Sequence, residues 1–163
     1  MKQLLINFLF GCALFSVQQC LAQSQLTSKV SSVTDTVPVD FKPVSNLAAF
    51  VKTYPFLTEY ISGLRQEIKT MDTEIYAASV TLKGGKLLFL YLEGPLYRGT
   101  EGMPVDAYLN QGKGFKSVFN AVTYPEIKVI KSPRLALLLA SASGTPIRWI
   151  YDKQKGMFKI NNL

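Results

Sequence analysis

Histidine is missing from this chain, and cysteine occurs only at Cys12 and Cys20. The first absence removes the commonest general base, nucleophile activator and metal ligand. The second leaves everything after residue 20 without a thiol. No disulfide and no cysteine-ligated zinc can brace that part, and no cysteine can act there as a nucleophile. Serine-nucleophile signatures of the G-x-S-x-G and S-x-x-K kinds are absent. So are the G-x-x-x-x-G-K-[ST] phosphate loop and the D-x-[DN]-x-[DN]-G calcium loop. The expectation is a protein without a cofactor, a metal or a catalytic activity.

Long apolar runs are scarce too. One opens the chain, Leu4 to Val17, about 14 residues against the roughly 20 that span a bilayer. Lys2 precedes it and Cys20-Leu21-Ala22 follow it, with small residues at the minus-three and minus-one positions for cleavage after Ala22. Residues 1–22 are therefore expected to be a signal peptide, and the working protein to act in the periplasm or outside the cell. An uncleaved anchor and a lipoprotein acylated at Cys12 are the alternatives. No transmembrane helix is expected in the mature chain.

Basic residues outnumber acidic ones, 18 to 11, for a net charge of +7. That excess suits anionic surfaces such as lipid headgroups, acidic polysaccharide or nucleic acid. The Lys and Arg residues are scattered, however, with no basic run and no basic helix face. Nucleic acid is thus not the expected partner; a protein or an envelope component is.

Residues 23–44 are rich in Ser, Thr, Val, Asp and Pro and have no period, as in a flexible leader. A single domain, 45–163, is expected after it. Ser45 can cap a first helix over 46–53, and Pro55 can open a second. Phe56, Leu57, Tyr60, Ile61, Leu64, Ile68 and Met71 then recur at three- and four-residue steps, an amphipathic helix with one face on a core. From Ile75 the period shortens. Strands over 75–82 and 86–93 flank Gly84-Gly85, 105–110 and 115–118 flank Gln111-Gly-Lys-Gly114, 126–131 and 135–142 flank Ser132-Pro133, and 146–152 and 157–160 flank Lys153-Gln-Lys-Gly156. The fold class expected is α+β: N-terminal amphipathic helices on an antiparallel meander of about eight strands.

The strand region repeats. Pro104 to Val118 matches Pro146 to Ile160: each starts at Pro, runs through aromatic-rich alternation and turns on a Lys/Gln/Gly loop. The apolar strands Leu87–Leu92 and Leu135–Leu139 precede them. Four strands in this span is the size of a propeller blade, and two units cannot close a propeller. Two blade-like four-stranded repeats are therefore expected, packed together or merged into one sheet. This order resembles small exported bacterial proteins of uncharacterised function with half-propeller, integrin-repeat-like sheets, over residues 75–160. Where those carry a C-G-S-G-G-C-like loop, this chain has Arg98-Gly-Thr-Glu-Gly-Met103. The resemblance implies a fold and an extracytoplasmic location, and carries no reaction.

Two groups are candidate binding residues. The loop 94–104 offers Tyr97, Arg98, Glu101 and Met103, an aromatic, two charges and a soft apolar group on what should be a rigid sheet. The inert alternative is a connector with an Arg98–Glu101 surface pair. In 148–151, Trp149 and Tyr151 share one strand face and Arg148 takes the other. That aromatic pair could stack on a ligand or belong to the core. The function expected is a non-catalytic binding or interaction protein, including an inhibitor or immunity-type partner of an envelope enzyme. The alternatives are a carboxylate-dependent hydrolase of envelope polysaccharide, needing two carboxylates about 5–9.5 Å apart, and a structural component of an envelope assembly.

Overall fold

The computed structural model describes residues 35–97, 102–141 and 143–161. The expected signal segment 1–22, its Cys12, the leader residues 23–34, Arg98 and Glu101 lie outside the described residues. The chain enters through two short strands, β1 (Thr36–Pro38) and β2 (Lys42–Pro43). Helix α1 (Leu47–Thr53), a 3-10 turn (Pro55–Leu57) and helix α2 (Thr58–Thr70) follow. Eight further strands complete the fold: β3 (Glu74–Leu82), β4 (Gly85–Glu93), β5 (Met103–Asn110), β6 (Phe115–Thr123), β7 (Ile127–Ile130), β8 (Ala136–Leu139), β9 (Ile147–Asp152) and β10 (Met157–Ile160).

All pairings are antiparallel and fall into two five-stranded sheets, β2-β3-β4-β5-β6 and β1-β7-β8-β9-β10. Strand β4 shows why they stack. Its run Leu87–Leu92 is apolar at every position, the mark of a strand covered on both faces. Leu87, Phe89 and Tyr91 enter a core shared with Val129, Leu137 and Leu139 of the second sheet. Leu88, Leu90 and Leu92 face the other way, onto Leu57 and Ile61. The molecule thus has three layers: helices, first sheet, second sheet.

The α+β class stands, with ten strands among the described residues rather than about eight. The two additional strands come from the segment expected as a leader. β1 pairs with β7 and β2 with β3, and each is only three or two residues long. Such edge strands carry no period of their own; the neighbour supplies the pairing. The first helix is capped by Asn46 rather than Ser45, because Asn46 Oδ1 accepts from Ala49 N at 2.9 Å. Pro55 does open the next turn, at the first 3-10 position. Of the expected apolar stripe, Phe56 and Met71 are exposed. Strand β6 extends to Thr123, past the expected end at Val118. A register shift between Ala107 and Tyr108 leaves Val118 as the extra residue, so Val118 and Phe119 are both buried in the inter-sheet core.

Candidate functional site

A meander reverses at each turn, so alternate turns gather at one end. The first, third, fifth and seventh turns from β3 are Lys83-Gly84, Gln111–Gly114, Lys131–Leu135 and Lys153–Gly156. Together they hold Lys83, Lys113, Lys131, Arg134, Lys153 and Lys155, and no carboxylate. Gly112, Gly114 and Gly156 take positive φ in these turns, at 91°, 90° and 66°. All but Lys131 of the six cations are exposed.

These turns converge on an open cleft of about 1010 Å³. Lys83, Lys131, Arg134, Lys153 and Lys159 line it, with Tyr151 and the amides Gln111, Gln154 and Asn161 between them. Among the described residues its one lining carboxylate, Asp152, is engaged. It forms an ion pair with Lys159 and accepts from Gln154 N at 2.9 Å and Lys155 N at 3.2 Å. The Lys159 hydrogen bond, then those turn N–H groups, hold its carboxyl below the usual carboxylate range. Asp35, at the start of β1, also reaches this end, where its carbonyl accepts from Lys131 N at 2.8 Å.

The opposite end of β3 and β4 has the other sign. Glu74 and Glu93 are direct cross-strand partners and line a cavity of about 390 Å³ with Asp72. Tyr76 donates to Glu74 Oε2 at 2.9 Å and stacks on Tyr91 at 4.7 Å. Burial first, then the nearby Glu93, pushes the Tyr91 hydroxyl up to about 12. On the helix side, Tyr108 is likewise pushed to about 12 by burial and Asp106, and Tyr60 is raised by burial and the same aspartate, which it reaches at 3.4 Å. Among the described residues no three His, Cys, Asp or Glu side chains converge in a way that could hold a metal ion. No described helix is long and apolar enough to cross a membrane.

The sequence-predicted binding residues that are described lie in different parts of the fold. Tyr97 packs into the helix-side layer, and its N–H donates to Gly94 O at 3.0 Å. Met103 opens β5 and leans on the inter-sheet core. Trp149 packs edge-to-face on Phe119 at 5.0 Å, and Tyr151 lies 5.3 Å from Phe158, both half-buried against that core. Arg148 is half-buried on the opposite face, and its buried Nε has no hydrogen-bond partner among the described residues. Only Tyr151 of these also lines the basic cleft. The turn cations are scattered in sequence, and only the parity of the turns gathers them at one end. Comparison with protein-family models, with curated proteins and with solved structures finds no match.

Proposed function

We propose that this is an exported, non-catalytic binding protein that engages an anionic envelope component or partner protein through its basic end. One observation carries the reading: four alternate turns bring six cations to one end, and among the described residues the only carboxylate lining the cleft is already paired. An inhibitor or immunity-type partner is the specific form this takes if the anionic surface belongs to an envelope enzyme. The two meanders β3–β6 and β7–β10 are read as two blade-like copies of one unit, supported by the matching runs from Pro104 and Pro146. Elution from a sulfated-polysaccharide matrix tests the proposal. A Lys83→Glu/Lys131→Glu/Arg134→Glu/Lys153→Glu variant should elute at much lower salt than wild type. Equal elution of the two would remove the basic end as the site.

The hydrolase reading keeps one specific observation, the Glu74–Glu93 pair across β3 and β4. Directly opposed residues have Cα atoms about 4.5–5.5 Å apart, which brings two carboxyl groups to one cavity. Sugar release from envelope polysaccharide that disappears in both Glu74→Gln and Glu93→Gln would support it. No release by wild type would dispose of it.

A further inference from the structure

The basic turns have a shape as well as a charge. A single phosphate or sulfate would be held by two or three converging donors. Here the cations are spread over four separate turns, and most stand exposed at their tips. Such an array matches many negative charges distributed over a surface. A nucleic acid would in addition want exposed rings for its bases; the one ring lining the cleft is Tyr151, held half-buried by Phe158.

We infer that the turn end of the sandwich docks end-on against an anionic lipid surface, with the headgroup phosphates among Lys83, Lys113, Lys131, Arg134, Lys153 and Lys155. This rests on the anion-binding reading above and names its partner. The acidic end does not cancel the attraction. Glu74 and Glu93 stand a full nine-residue strand from the Lys83 turn, about 27 Å at the usual strand rise. That exceeds the screening length of about 8 Å at physiological salt. The two ends therefore orient the molecule, the basic turns toward the bilayer and the Glu74–Glu93 end away. Each Lys at such a surface strengthens binding about fivefold.

The test is sedimentation of the chain, purified as the producing cell exports it, with phosphatidylcholine vesicles and with the same vesicles containing phosphatidylglycerol. The readout is the ratio of the two affinities, so any apolar contribution from the N-terminus cancels. Wild type should strongly favour the anionic vesicles, less so as salt rises. Lys83→Glu/Lys113→Glu/Lys153→Glu should lower the ratio by roughly a hundredfold, counting only the three lost charges. Lys42→Glu/Lys69→Glu/Lys128→Glu carries the same net charge change away from these turns and should keep most of it. Near-UV circular dichroism confirms that both variants are folded. A ratio of one for wild type, or an equal fall in both variants, overturns the inference. Binding to a soluble sulfated polysaccharide or to single-stranded DNA without preference for anionic vesicles overturns the lipid partner and leaves the anion-binding reading standing. Binding to none of them brings both down.

Discussion

The adjacent glycines 84 and 85 have different duties. A Cβ built on Gly85 would lie 2.2 Å from the carbonyl oxygen of Asn110, on the neighbouring strand. At Gly84 nothing lies within 4 Å, and its φ is not in the left-handed region. Gly85 is thus needed for the approach of β5 to β4, and Gly84 only closes a turn. Gly85→Ala should cost about 1–3 kcal/mol, as overpacking does. Gly84→Ala should be neutral or stabilising by up to about 1 kcal/mol, through the unfolded chain. Urea midpoints of the two variants check this; similar losses for both would refute it. The Gly-Gly pair was legible as a hairpin from sequence. Which of the two was indispensable was not, because the answer lies in Asn110, 25 residues further on.

At the scale of elements, the β9–β10 turn depends on one charge. Asp152 binds Lys159 across the strands and two N–H groups of its own turn. Its folded pKa lies below the unfolded value of about 3.9. The carboxylate's contribution is therefore present above that value and is lost as pH falls through the folded pKa. Asp152→Asn should melt below wild type at neutral pH, and the gap should close in acid, as pH falls from the unfolded carboxylate value down through the lower folded one. A gap that is the same at both pH values would rule out the charge as its cause. The elements themselves were legible to unequal degrees. The Leu87–Leu92 run marked β4 because both of its faces are covered. β6 read short because Lys116, Ser117 and Asn120 interrupt its alternation and the bulge at Val118 resets it. β1 and β2 left no trace, since Thr-Val-Pro and Lys-Pro are strands only by virtue of β7 and β3.

For the whole molecule, local periodicity does not encode which turns meet. Lys83, Lys113, Lys131 and Lys153 are each an ordinary turn lysine. They become one surface when the meander stacks its hairpins and β6 and β10 come into contact. Trp149 and Tyr151 were visible as a same-face pair, and sequence left open whether that face was core or surface. The packed fold decided it: Phe119 of the first sheet lies against Trp149, and Phe158 of the neighbouring strand β10 lies against Tyr151. Of the other described candidates, Tyr97, Met103, Arg148 and Trp149 stand out by type alone, and their positions in the fold do not bring them to the basic cleft.

The two shortest strands also bear on the order of assembly. From β3 onward, each strand but β7 pairs with the one just made, a cheap closure over a few residues. β1 must instead find β7, its partners lying 90 to 94 residues further along the chain, while β2, on the same short segment, joins the other sheet. Residues 36–43 thus work as a clasp between two sheets that can each form beforehand. Contacts of such long span form late in folding, and short strands at sheet edges are among the first to open. The clasp is therefore the last piece of the domain to be fastened and the first to come undone.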